Sequence, residues 1–196
     1  MNLKSILHPA RLTFAVVCLG LLPLAAQGSG LTGSSVTGSL TFDPNPTNYF
    51  DPANGFVPPG YLNTAGTTVT IQAPAVEFGF NDNVNFDLAN FSASQFTIED
   101  VVESSGIDNP FTMTFTDSAF MGMTFNQVSD SFPNGGLTYA IAGSTITLTW
   151  AGGPTNPNDD YTSTFTVVPE ASTWATALVG LGLLGCALRF RRTRLA

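Results

Sequence analysis

Short runs in which apolar and polar residues alternate one by one dominate the middle of the chain. Phe111–Thr116 is an example, because Phe111, Met113 and Phe115 alternate with three threonines. Successive side chains of a strand point to opposite faces, so this period of two predicts strands with one buried and one solvent face. No stretch between residues 29 and 167 has a helical period, so the pattern predicts an all-β fold.

The predicted strands follow one another closely and are separated by turns rich in Gly, Pro, Asn and Asp. They cover residues 35–42, 67–72, 75–80, 83–88, 95–102, 111–116, 121–128, 137–141, 145–150 and 161–167. This spacing favours an antiparallel β-sandwich, and the lack of a fixed repeat argues against a β-solenoid.

Several details of this pattern are specific enough to test. In residues 83–88 the alternation assigns Val84, Phe86 and Leu88 to the buried face. Residues 43–64 contain five prolines and are predicted to form a long irregular loop. Residues 106–110 are predicted as a turn and residues 152–160 as a polar loop.

The N-terminal pattern is that of a secretory signal peptide. Lys4 and Arg11 precede an apolar run over residues 12–26, which small residues follow. We assign residues 1–28 to the signal peptide, with cleavage after Ala26 or Gly28. A retained N-terminal membrane helix is the alternative.

A second apolar run, over residues 175–188, lies near the C-terminus. A helix over residues 173–190 would be about 27 Å long, which is enough to cross a bilayer core. Trp174 stands at one interface, and the basic residues stand at the other. They are Arg189, Arg191, Arg192 and Arg194, which predict a cytoplasmic tail and place the preceding domain outside.

Residues 167–196 resemble the PEP-CTERM sorting signal, the substrate signal of exosortases in Gram-negative bacteria. Val168, Pro169 and Glu170 match the start of the Val-Pro-Glu-Pro motif, Ala171 stands where the second proline is usual, and the apolar helix and arginine tail follow. The resemblance implies recognition through these three residues, transient inner-membrane anchoring, cleavage near the motif, and release to the cell surface or an exopolysaccharide matrix. An ordinary C-terminal anchor is the alternative. This type of tail is also described as an ice-binding protein C-terminal domain, which characterises the tail and not the domain before it.

The exported domain, residues 29–167, is strongly acidic. Every Lys and Arg lies at position 4, 11, 189, 191, 192 or 194, whereas thirteen carboxylates lie between Asp43 and Asp160. Such a domain repels nucleic acid and anionic lipid surfaces, so no nucleic-acid partner is expected. The expected partners are the export translocon, the exosortase and the inner membrane, with exopolysaccharide as a further candidate.

The domain also lacks the side chains that carry much enzyme chemistry. His8, Cys18 and Cys186 all lie outside residues 29–167, so Ser-His-Asp triads, Cys-His pairs, Schiff-base lysines and His or Cys zinc sites are excluded there. A carboxylate pair of the glycosidase type is the remaining option, and thirteen acids make a chance pair easy to find. We therefore expect no catalysis and no cofactor.

Three groups of residues are candidates for binding. Asn81, Asn83, Asn85 and Asp87 place oxygens on alternate positions, as a weak candidate for a hard metal ion; the simpler interpretation is the solvent face of a strand. Threonines at 112, 114, 116, 145, 147, 149, 162 and 164 predict hydroxyl ladders on which ice or polysaccharide could lie, although Thr is common on exposed strands. Tyr49, Tyr61, Tyr139, Tyr161 and Trp150 are candidates for stacking on sugar rings, with Trp150 expected in the core.

The sequence thus favours an exported, non-catalytic surface or extracellular-matrix protein with a structural or adhesive role. A carbohydrate-binding module is the alternative, and ice binding is a distant third.

Overall fold

The computed structural model describes residues 30–169, which form β-strands joined by loops and two 3₁₀ turns. The strands are β1 Ser35–Phe42, β2 Thr68–Thr70, β3 Phe78–Asn81, β4 Asn85–Phe91, β5 Gln95–Val102, β6 Gly106–Asp108, β7 Phe111–Thr116, β8 Met123–Asp130, β9 Thr138–Ala142, β10 Thr145–Trp150, β11 Gly153–Thr155 and β12 Asp160–Pro169. The 3₁₀ turns are Leu62–Ala65 and Ser118–Phe120.

The strands form two five-stranded sheets and one small ribbon. The first sheet has the order β2-β1-β7-β10-β9, and the second has the order β3-β4-β5-β12-β8. The ribbon pairs β6 with β11. Every strand pair within residues 30–169 is antiparallel, which confirms the predicted all-β antiparallel class.

Aromatic rings from both sheets meet in one core, an arrangement consistent with a β-sandwich. Phe115 of β7 lies 5.4 Å from Phe78 of β3 and 5.4 Å from Phe96 of β5, measured between ring centroids. It also meets Phe91 of β4 edge-on at 5.2 Å. Phe115 thus joins the first sheet to three strands of the second.

The predicted alternation of the central strands is confirmed. On β7, Phe111, Met113 and Phe115 are buried. On β10, Ile146, Leu148 and Trp150 are buried in the same way. Because β1, β7 and β10 pair in register, their apolar side chains form a continuous inner surface.

Gly38 on β1 is required by this packing. It is buried, and a Cβ at this position would lie 2.5 Å from Cε1 of the Phe78 ring. A larger side chain would displace Phe78, so the glycine permits close approach of the two sheets.

The proline-rich loop of residues 43–64 packs on the second sheet. Asn63 is fully buried, and its Nδ2 donates to the carbonyl oxygens of Phe50 at 3.0 Å and Gly79 at 3.1 Å. Its Oδ1 accepts from the Gly79 amide at 3.1 Å. Nearby, the Tyr61 ring meets Phe86 at 90° with 5.4 Å between centroids. The loop therefore covers part of the outer face of this sheet.

That cover explains why the predicted orientation of β4 is wrong. Phe86 and Leu88 are only half-buried and lie on the outer side, and Val84 is 39% exposed in the preceding turn. The buried positions of β4 are Asn85, Asp87, Ala89 and Phe91. Tyr61 shields Phe86 from outside, so an apolar residue is accommodated on the outer face.

Two further predictions are corrected by the β6–β11 ribbon. Residues 106–110 were expected to turn and residues 152–160 to form a loop, but each contributes a three-residue strand. Gly153 pairs with Asp108, and Thr155 pairs with Gly106. Strands this short carry too few residues to show a period of two.

No helix within residues 30–169 is long and apolar enough to cross a membrane. The predicted signal peptide at residues 1–28 and the predicted helix at residues 173–190 lie outside the described residues.

Replacing Phe115 with alanine should lower the free energy of unfolding by about 3–5 kcal/mol, because it opens a cavity between the sheets. Urea denaturation of the full chain measures this change. Phe56 is a matched control, since its ring is 62% exposed, and Phe56→Ala should change stability by less than about 0.5 kcal/mol. Equal effects of the two substitutions would contradict the assignment of Phe115 to the centre of the core.

Candidate functional site

Two aspartates face each other on the buried side of the second sheet. Asp87 on β4 is paired directly opposite Asp100 on β5, and each side chain is 1% exposed. Side chains opposite each other in an antiparallel pair have Cβ atoms about 4.5–5.5 Å apart, and like charges there are destabilising. This pair is therefore an unfavourable arrangement unless something neutralises it.

The β6–β11 ribbon brings a third aspartate to this pair. Asp108 is 4% exposed, and its Oδ1 accepts a hydrogen bond from the Asn85 amide. Asn85 lies two residues before Asp87 on the same buried face of β4. Thr155 is paired opposite Gly106, and Gly106 lies two residues before Asp108 on β6. Thr155 and Asp108 therefore lie on the same face of the ribbon. We call Asp87, Asp100, Asp108, Asn85 and Thr155 the acid cluster.

Burial raises the pKa values of all three carboxyls, and repulsion from nearby acids adds to the shift. Desolvation, reinforced by Asp108, raises the pKa of Asp100 to about 7. Desolvation, reinforced by Asp100, raises the pKa of Asp87 well above its usual range. Desolvation also raises the pKa of Asp108, although the Asn85 hydrogen bond opposes this shift. The charged form is therefore disfavoured at each position.

A cleft of about 530 Å³ opens beside the acid cluster. Its wall combines carboxyl, amide and aromatic groups and includes Asp43, Asn45, Tyr49, Asp82, Asn85, Asp108 and Asn109. The half-buried Tyr49 ring packs against Phe42 at 5.3 Å and Phe80 at 5.2 Å, and its hydroxyl accepts from Asn45 Nδ2 at 2.7 Å. The cleft therefore offers an aromatic surface and several polar groups to a ligand.

The four weak metal candidates from the sequence do not share one face. Asn81 is the last residue of β3 and Asn83 lies in the turn after it, where the Asn83 amide donates to Asn81 Oδ1 at 2.6 Å. Asn85 and Asp87 are 6% and 1% exposed, so the interpretation of these two as a solvent face is wrong. Sequence reasoning did not identify Asp100, Asp108 or Thr155. Asp100 was detectable, because it continues the buried positions of Phe96 and Ile98 along β5.

The outer face of the first sheet is covered by hydroxyl groups. Its cross-strand rows are Thr68-Thr37-Thr116-Thr145-Ala142, then Ser39-Thr114-Thr147-Ala140, then Thr41-Thr112-Thr149-Thr138. We call this surface the threonine face. Strand geometry spaces its side chains about 4.8 Å across the strands and about 6.7 Å along them. Some hydroxyls bond one another, as Thr37 and Thr68 do at 2.8 Å and Thr116 and Thr145 at 3.1 Å.

The second sheet shows that this uniformity is not a general property of exposed strands. Its outer face mixes half-buried Leu88 and Glu99 with exposed Gln95 and Asn126. The threonine face carries neither charge nor large side chains. Solvent exposure alone does not require such a surface. The threonines at 162 and 164 lie on β12 of the second sheet, outside the threonine face.

The aromatic candidates separate into different environments. Trp150 is 1% exposed and belongs to the core, as expected. Tyr61 covers Phe86, and Tyr139 packs edge-on against Phe165 at 5.0 Å. Burial and the hydrogen bond to Asp159 raise the pKa of the half-buried Tyr161 to about 12. Tyr49 is the tyrosine in the wall of the cleft.

The candidate sorting residues lie at the end of the described chain. β12 continues through Val168 and Pro169, which pair with Thr124 and Met123 of β8. Glu170, Arg189, Arg191, Arg192 and Arg194 lie outside the described residues.

The acid cluster predicts a pH dependence of stability. The pKa of Asp100 is 3.8 before folding and about 7 afterwards, so the folded chain holds a proton that the unfolded chain releases. The contribution of this protonated carboxyl to the free energy of unfolding is complete below about pH 4 and is lost as the pH rises to about 7. In buffer free of divalent cations, the free energy of unfolding should therefore fall across this interval, by an amount on the order of a few kcal/mol.

Chemical denaturation at several pH values measures this slope. Asp100→Asn removes one of the titrating groups and should reduce the slope, whereas the control Glu103→Gln removes an equal charge from an exposed position and should leave it. The same slope in both variants would contradict the assignment to the acid cluster.

Comparison with known proteins adds no relative to this picture, because no family model, no curated protein and no solved structure matches the chain.

Proposed function

We propose that this chain is an exported, non-catalytic surface or extracellular-matrix protein with a structural or adhesive role among exopolysaccharides. Residues 1–28 act as the signal peptide, residues 29–167 form the β-sandwich, and residues 168–196 form the sorting signal with its membrane helix. The threonine face is the adhesive surface.

The observation that carries this proposal is the regular, uncharged character of the threonine face. Hydroxyls donate and accept hydrogen bonds, so an array of them can pair with the hydroxyls of a polysaccharide. Small side chains leave the surface flat, which permits an extended polymer to contact several strands at once. Each contact is weak, and repetition along the polymer raises the overall affinity.

The lack of catalytic groups supports a binding role. Residues 30–169 contain no His, Cys, Lys or Arg. Asp87 and Asp100 form a close carboxyl pair, but each is 1% exposed and neither lines the cleft. A glycosidase pair must flank a bound substrate, which this pair does not do.

The tail supports export and sorting. Its order of motif, apolar run and arginines resembles an exosortase signal, and the extended strand β12 ends within the motif, at Pro169. Pro169 favours extended backbone at the preceding Val168, the conformation in which proteases bind peptides.

A second candidate is a carbohydrate-binding module that uses the cleft. The observation in its favour is the cleft wall, where the Tyr49 ring and several Asn and Asp side chains surround about 530 Å³. Ligand pockets characteristically combine an aromatic surface with a few polar groups.

Thr114→Lys should weaken retention of the full chain on the producer's exopolysaccharide by about tenfold, because a long charged side chain rises from the centre of the threonine face. Polysaccharide pull-down measures retention. Thr97→Lys is the matched control, since Thr97 is half-buried on β5, the central strand of the second sheet, as Thr114 is on β7 of the first.

Equal retention of the Thr114→Lys and Thr97→Lys variants would contradict the threonine face. Loss of retention in an Asn45→Ala, Asn109→Ala double variant alone would instead establish the cleft module. Thermal hysteresis that Thr114→Lys abolishes, without polysaccharide retention, would establish ice binding.

Mass spectrometry of the mature protein should find that the C-terminal residues after the motif have been removed. Glu170→Ala should leave the tail uncleaved and the protein in the inner-membrane fraction, because the motif loses its acid. Glu103→Gln, on an exposed position of the domain, should be processed normally. A mature chain that ends at Ala196 would rule out processing.

A further inference from the structure

Seven buried side-chain oxygens in the acid cluster have no hydrogen-bond partner. They are Asn85 Oδ1, both Oδ atoms of Asp87, both Oδ atoms of Asp100, Asp108 Oδ2 and Thr155 Oγ1. Every other buried polar side-chain atom in residues 30–169 has a partner. Buried oxygens without partners are costly, and here they are concentrated in one place.

Two of these atoms are not on acids and point to a ligand independently of the charges. Asn85 is 6% exposed, and its amide nitrogen already binds Asp108 within the cluster, so its Oδ1 is fixed beside the carboxyls. Thr155 is 5% exposed and lies on the ribbon face that carries Asp108. Both atoms are neutral oxygens of the kind that a hard cation takes as ligands beside carboxylates.

The charge of the cluster has no internal partner. Residues 30–169 contain no Lys, Arg or His. Three buried carboxylates are therefore balanced either by bound protons or by a cation from solution.

The chemistry of the free atoms selects the type of cation. They are all oxygens, from carboxylate, amide and hydroxyl groups, and Ca²⁺ takes six to eight such ligands in flexible geometry. Zinc prefers nitrogen and sulfur ligands, and Mg²⁺ retains several waters in a strict octahedron. Thus the oxygen set fits calcium best.

We propose that the acid cluster is a calcium-binding site, with Asp87, Asp100 and Asp108 as the charged ligands and Asn85 and Thr155 as neutral ones. This inference goes beyond the proposed function and does not depend on adhesion or sorting.

The acidic side chains of residues 30–169 do not already converge as three metal ligands. Binding of the ion therefore draws the three carboxylates together, with release of the protons that they hold. The cleft supplies the route, because Asn85 and Asp108 belong to both the cleft wall and the cluster. Asp43 and Asp82 on the same wall attract cations toward it.

The full chain is purified in detergent, stripped of metal with a chelator and titrated with calcium chloride. One calcium ion should bind per chain at this site. Isothermal titration calorimetry measures the binding. At saturating calcium and pH 7.5, the melting temperature should rise by about 5 °C or more, because the ion binds only the folded state.

The double variant Asp87→Asn, Asp100→Asn should lose both responses. Neutral amides also remove the repulsion, so in chelator this variant should melt above the unmodified chain, which shows that it folds. The control Asp51→Asn, Glu103→Gln removes two acids that lie outside the acid cluster and should keep both responses.

A second measurement uses the unmodified chain alone. Terbium binds calcium sites and emits when a nearby aromatic ring is excited, and Tyr161 is paired directly opposite Asp100. Terbium emission should therefore appear and be displaced by calcium. The proposal is overturned if calcium produces no heat of binding and no rise in melting temperature. It is also overturned if the Asp87, Asp100 variant responds like the unmodified chain, or if the control variant loses the response.

Discussion

The two-residue alternation of the central strands β1, β7 and β10 determines both main surfaces of the domain. Where an apolar side chain points inward to the second sheet, the residues before and after it point outward. Because the three strands pair in register, inward residues build the aromatic core around Phe115, and outward residues build the threonine face. The core and the threonine face are therefore two sides of one pattern, and a one-residue slip would exchange them.

The acid cluster departs from this pattern, and the departure has an electrostatic cause. Asp87 and Asp100 lie on the same buried face as Ala89 and Ile98, where apolar residues are expected. The domain contains no basic side chain to balance them. A protein that places like charges opposite each other in its interior ties its stability to what the surrounding solution supplies, whether protons or metal ions.

The sequence predicts those features that depend on local pattern and misses those that depend on pairing. The bounds of β1, β5, β7 and β10 follow from alternation alone. The orientation of β4 does not, because Tyr61 arrives from a distant loop to cover Phe86. The acid cluster is hidden for the same reason, since Asp108 reaches Asn85 only through the β6–β11 ribbon. The sequence shows the threonine ladder of each strand, but the alignment of these ladders into rows depends on the register in which the strands pair.

The end of β12 has a consequence for the proposed processing of the tail. Val168 and Pro169 pair with β8, while the pairing of β12 with β5 stops at Thr166. A protease that binds the motif as a free peptide requires these two residues to separate from β8 first. Pro169 eases that step because it has no amide hydrogen to give. The proposed cleavage of the tail therefore requires local opening at the end of the last strand when the domain is already folded.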